Sequence, residues 1–146
     1  MSNKMNSGIN YTVNEAERTV AAYIPNGYLN VTREVMRKLY KVSPYLACCF
    51  EDNKDVRKIL ASKNMVMVAK CHPNDQWDTE KGMAIARAKL LVHESNIRLR
   101  LLAIAYNMIM DWLNEVDTAF DKEFDRNITL VFERDAHCGH EDTERF

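Results

Sequence analysis

The chain is poor in backbone breakers, with four glycines and three prolines in 146 residues. That scarcity excludes long flexible linkers and a turn-rich β-sandwich. No apolar run approaches the roughly 18 residues of a membrane span, and Met1 to Asn10 lacks the apolar stretch of a signal peptide. A cytoplasmic protein with no membrane partner is therefore expected. Of its four cysteines, Cys48 and Cys49 are adjacent and cannot bridge each other without strain. Reduced thiols are expected for the set. Charge of one sign is also lacking, since the formal net charge is only -1, so the balance must be read locally. Phosphate-loop, dinucleotide and serine-hydrolase signatures are absent. His93-Glu94 opens like a zinc-protease helix, but position 97 is Ile where the second histidine would stand. The zinc-deaminase pattern is missing as well. No catalytic residue is assigned, and a non-enzymatic role is expected.

What the sequence does have is 47% hydrophobic residues, enough for one self-sufficient core over residues 1–146. Residues 1–16 read as a polar arm that could end in a short pairing segment. Glu17 to Ile24 predicts a strand, Pro25-Asn26-Gly27 a turn, and Tyr28 to Val31 a segment that could pair back. Thr32 could cap a helix through Lys41, with Val35, Met36, Leu39 and Tyr40 on one face. Pro44 to Phe50 fits a buried helical turn or a strand. Asn53 could start a short basic helix burying Val56, Ile59 and Leu60. Asn64 to Cys71 is the clearest strand, and Asp78 is a helix cap after a polar loop.

From Thr79 the period is helical, with a break or recapping expected at His93 to Asn96 and a second long amphipathic helix through Phe120. Asn127 to Glu133 predicts a last strand, followed by a charged tail over 134–146. The expected class is α+β: a small antiparallel or mixed sheet packed against two long helices and one or two short helices.

Three groups of residues invite chemistry. His137, Cys138 and His140 form the most metal-like local sequence, and Cys71 and His72 could supply the remaining ligands if the tail folds back, but the paired knuckles of structural zinc sites are missing. An ordinary charged tail accounts for the first three, and zinc is the only cofactor worth considering. Trp77 at a helix start, followed by Lys81, Arg87, Lys89, Arg98 and Arg100, could stack a base and hold phosphate. Core-edge packing by Trp77 and solvation of the helix by the cations explain them better, because aromatic side chains usually supply burial first. Asp111, Glu115, Asp117, Asp121, Glu123 and Asp125 form an acidic run in which Lys122 is the only opposing charge. Paired acids could do acid/base work or hold a divalent ion, but these residues fit a solvated helix face better, or a surface that imitates a nucleic-acid backbone and attracts a basic groove.

Lys70-Cys71-His72-Pro73-Asn74-Asp75-Gln76-Trp77-Asp78, with Gly82, Ile85-Ala86 and Arg87 beyond it, covers about one-eighth of the chain. It resembles a strand–loop–helix module of small phage and mobile-element proteins of Gram-positive bacteria. That resemblance implies an accessory factor, and some phage proteins of this size are anti-CRISPR inhibitors or sponges for nucleotide immune signals. It carries no binding residue over to this chain.

The expected function is inhibition of a bacterial defence system, with a nucleic-acid-handling effector as partner. A cyclic-nucleotide sponge is the alternative, and direct nucleic-acid binding lacks the strongly positive charge such domains generally show. A homodimer is also expected. The second long helix carries Leu101, Leu102, Ile104, Met108, Ile109, Trp112, Leu113 and Val116, more apolar surface than a small sheet covers.

Overall fold

A computed structural model describes residues 8–138, in two compact units, Met1–Tyr106 and Asn107–Phe146. The first holds strands β1 (Asn10–Asn14) and β2 (Thr19–Ile24) and helices α1 (Gly27–Val42), α2 (Pro44–Glu51) and α3 (Lys54–Leu60). Strand β3 (Met65–Lys70) and the start of helix α4 (Thr79–Cys138) complete it. The expected α+β class holds.

The sheet is antiparallel in the order β1-β2-β3. Its register aligns Val13, Val20 and Ala69, and one pair along it aligns Tyr11, Ala22 and Met67. Because facing residues of a pleated ladder share a side, these rows form one face. Val20, Ala22, Met65 and Ala69 are buried on it. The opposite face carries Val66 and Val68, each about half exposed.

Residues 10–14 of the expected arm pair with β2, and residues 1–7 lie outside the described residues. Asn26 takes a left-handed φ of 54°, and α1 starts at the next residue. Tyr28 to Val31 is thus helix instead of a returning strand. Gly27, Val31, Val35 and Leu39 recur every four residues and are all buried, so helical burial outweighs local strand preference. A Cβ on Gly27 would stand 2.8 Å from that of Met65, which explains why glycine opens this helix. Thr32 is interior to α1, where its hydroxyl donates to the Tyr28 carbonyl at 2.7 Å instead of capping.

Pro44 to Phe50 resolves as helix. The Ser43 hydroxyl accepts from Leu46 N, Pro44 occupies the first turn, and Leu46, Ala47 and Phe50 are buried. Asn53 caps α3 as expected, accepting from Asp55 and Val56 at 2.9 and 3.2 Å.

The largest correction concerns α4. It is one helix of 60 residues, with no break at His93 to Asn96 and no strand at Asn127 to Glu133. From Met83 to Cys138 there is neither glycine nor proline, so nothing in the chain interrupts the helical ladder. A strand needs an edge to pair with, and in the second unit the described residues are all helix, with Thr129 donating to the Asp125 carbonyl. Within the first unit α4 buries Ala86, Leu90, Ile97, Leu101 and Ala105, a stripe at helical spacing. Residues 134–138 of the expected tail continue the helix, and 139–146 lie outside the described residues.

Candidate functional site: a lysine-rimmed cavity and an acidic helix

The chain leaves β3 at Lys70 and reaches α4 at Thr79 through a loop organised by one residue on the β1–β2 turn. Arg18, at φ 54°, accepts from Cys71 N through its carbonyl at 2.9 Å. Its guanidinium donates to the carbonyls of Pro73 (3.1 Å) and Asp75 and to the Cys71 sulfur (3.2 Å). The thiol lies 3.6 to 3.8 Å from the carbonyls of His72, Asp75 and Gln76. Cys71 and His72 are thus absorbed into the loop, where the His72 ring accepts from Asn74 N. Asp78 caps α4, accepting from Lys81 N at 3.2 Å.

Between this loop and the first turns of α4 is a cavity of about 240 Å³, lined among others by Lys70, Trp77, Asp78, Lys81, Gly82 and Lys89. Three of the six expected ligand residues, Trp77, Lys81 and Lys89, therefore meet in one place. Lys89 donates to the Val68 carbonyl at 3.2 Å. The indole N–H of Trp77 is buried without a partner, a group that costs free energy until an acceptor reaches it. Lys70, at the end of β3 and outside the expected ligand set, also lines the cavity.

The other three cations are not brought there. Arg87 and Arg100 do not line the cavity. Arg98 donates to Glu34 on α1 at 2.7 Å and to Glu94 at 2.8 Å, which engages it in structure. His93, beside them, bonds Tyr28 at 2.9 Å. Sequence reasoning missed Arg18, Glu34 and Tyr28 because their partners are more than fifty residues away.

Compared with family models, with curated proteins and with solved structures, the chain finds no match.

Arg98 holds the Glu34 carboxyl below its ordinary value of 4.5 by hydrogen bonding, with burial opposing. Since the folded value is the lower one, the pair's contribution is fully present above pH 4.5 and is lost as pH falls through the lowered value. Both side chains are a third or more exposed, so Glu34→Gln should cost only about 0.5–1 kcal/mol at neutral pH. Urea titrations of the two proteins should converge as the solution is acidified below pH 4.5; a constant offset would contradict the assignment.

In the second unit, Asp111, Glu115, Asp117, Asp121, Glu123 and Asp125 are all exposed. So are Trp112, Leu113, Val116, Phe120, Phe124, Ile128 and Val131. This segment is an amphipathic helix with neither face covered. Of the metal candidates, His137 and Cys138 lie in this unit, Cys71 and His72 in the first, and His140 outside the described residues. Among the described residues no group of three potential ligands could hold a metal ion, and no helix is long and apolar enough to cross a membrane.

Proposed function

We propose that the protein is a non-enzymatic phage or mobile-element accessory factor that inhibits a bacterial defence system. It does so by occupying the basic groove of a nucleic-acid-handling effector with the acidic run Asp111 to Asp125. The observation that carries this reading is the exposure of all six carboxylates between Asp111 and Asp125 on one continuous helix. At a rise of about 1.5 Å per residue they span about 21 Å, or about one charge per 3.5 Å, close to the linear charge density of a single nucleic-acid strand. Lys122 alone subtracts from that density. A groove evolved for phosphates would be attracted to such a rod, and salt would weaken the contact.

The test is association of the purified chain with a panel of defence nucleases at physiological salt, together with phage survival in cells carrying those systems. Replacing Asp111, Asp117, Asp121 and Asp125 by Asn should weaken binding by at least about tenfold and remove protection. No association with any effector and no protection would end this reading.

The cavity supports a second reading, sequestration of a nucleotide signal, because Trp77 offers a stacking surface beside Lys70, Lys81 and Lys89. Calorimetry with cyclic nucleotides separates the two. Saturable binding that Lys81→Ala weakens, without any effector association, would favour the sponge.

A further inference from the structure

The formal net charge of -1 is the difference of two larger charges of opposite sign. Residues 1–106 hold 16 Lys and Arg against 10 Asp and Glu, whereas residues 107–146 hold 4 against 11. The first unit is therefore strongly basic, the footprint of a polyanion-binding domain that the whole-chain value conceals. Within it α1 concentrates the excess. Arg33, Arg37, Lys38 and Lys41 stand on this helix with Glu34 as its only acid, and Glu34 is already engaged by Arg98 of α4 at 2.7 Å. Among the described residues no carboxylate lies within ion-pair distance of Arg33, Arg37 or Lys41.

At about 100° per residue, Arg33, Arg37, Tyr40 and Lys41 fall on one side of α1, away from the buried Val31, Val35 and Leu39. Like charges at every fourth residue repel one another along a helix until a polyanion neutralises them. Tyr40 is 63% exposed among them. With Arg33, Met36, Arg37 and Ala47 it lines an open groove of about 250 Å³ between α1 and α2. We propose that this groove binds a single strand of nucleic acid, with phosphates on Arg33, Arg37 and Lys41 and one base stacked on Tyr40. The cations alone would suit any polyanion, and the ring selects among them. A base offers the flat face that an exposed aromatic beside guanidiniums stacks on, whereas an acidic peptide has no such face to give. A duplex is disfavoured for the same reason, since its bases are stacked on one another and present only their edges in the grooves. Four residues of helix rise about 6 Å, so the three cations follow a splayed strand over about 12 Å and meet about three phosphates in turn.

This surface shares no residue with the acidic run of the second unit, and none with the Trp77 cavity. It therefore stands apart from both readings of function. Loss of effector binding on replacing the four aspartates by Asn would leave strand binding intact, and loss of strand binding would leave the acidic run in place.

Fluorescence anisotropy of a labelled oligothymidylate of about ten nucleotides should show saturable binding by the full chain at about 50 mM salt. With about three phosphates neutralised, the logarithm of affinity should fall against that of salt with a slope of about -2, or about twentyfold between about 50 and 200 mM. Replacing Arg33 and Arg37 together by Ala should weaken binding by at least about tenfold and flatten the slope to about -1 or less. Tyr40→Ala should weaken it by about tenfold with the slope unchanged, and Tyr40→Phe, which keeps the ring, should bind as the parent does. All three side chains are exposed, so the thermal transition of each variant should match the parent's and exclude misfolding as the cause. No binding at about 50 mM salt, equal affinity for a duplex, indifference to the arginine pair or to Tyr40→Ala, or loss of binding in Lys81→Ala would each overturn the proposal.

Discussion

Leu101→Ala should destabilise the first unit by about 2–5 kcal/mol, whereas the identical change at Leu113 should move stability by no more than about 0.5 kcal/mol. Both leucines stand on α4, separated by little more than three helical turns. Leu101 is fully buried, and Leu113 is 46% exposed. Truncating a buried leucine loses its transfer free energy and leaves a cavity that a packed surround fills only partly. Truncating one in water loses neither, and alanine is at least as good a helix former. Urea unfolding followed by far-ultraviolet circular dichroism reads the difference. Equal costs at the two sites would mean that α4 is covered along its whole length, against the division of the chain into two units.

Gly82→Ala should destabilise by about 1–3 kcal/mol, although alanine is the better helix former by about 0.5–1 kcal/mol. A Cβ at position 82 would lie 2.8 Å from the Cγ2 of Val20, closer than two carbons can stand. Val20 is fully buried on β2 and β-branched, so its methyl cannot swing aside at low cost. Either α4 lifts from the sheet or Val20 leaves its rotamer, and both outweigh the gain in helix propensity. The double variant Gly82→Ala, Val20→Ala removes the obstructing methyl. It should show a favourable coupling of about 1 kcal/mol or more relative to the sum of the single changes. Strict additivity would show that the two residues are not in contact, and that α4 does not cross β2 at this glycine. Gly82 also lines the Trp77 cavity, so a shift of α4 in Gly82→Ala should change the shape of that site.

Much of the fold was legible where a signal is local. Asn53 capped α3 and Asp78 capped α4 because short side chains that accept from a nearby N–H act within a few residues. The strand expected at Asn64 to Cys71 became Met65–Lys70, a run of apolar and β-branched residues bounded by polar ones. The sequence marks Gly82 only as a glycine in a helical run, and the fold sets it against the side chain of Val20. The six ligand candidates show where legibility stopped. Spacing along a helix could mark six aromatic and basic residues, but only the fold could show that three share a cavity and that Arg98 is taken by Glu34.

By itself the sequence determined the composition that permits a single core, the caps, the turn at Asn26 and the unbroken helical potential from Met83 to Cys138. These are properties of neighbouring residues, whose energies depend on short-range sterics and hydrogen bonds. The tertiary structure decided what those tendencies became. Tyr28 to Val31 and Asn127 to Glu133 carry strand-forming residues, yet both are helix. A strand gains its hydrogen bonds only from an edge supplied elsewhere in the chain, whereas a helix satisfies its own. Tertiary packing likewise set Arg18 beneath the loop at Cys71, 53 residues away. It buried one half of α4 while leaving the other half in water, because contacts between distant segments have no trace in local spacing.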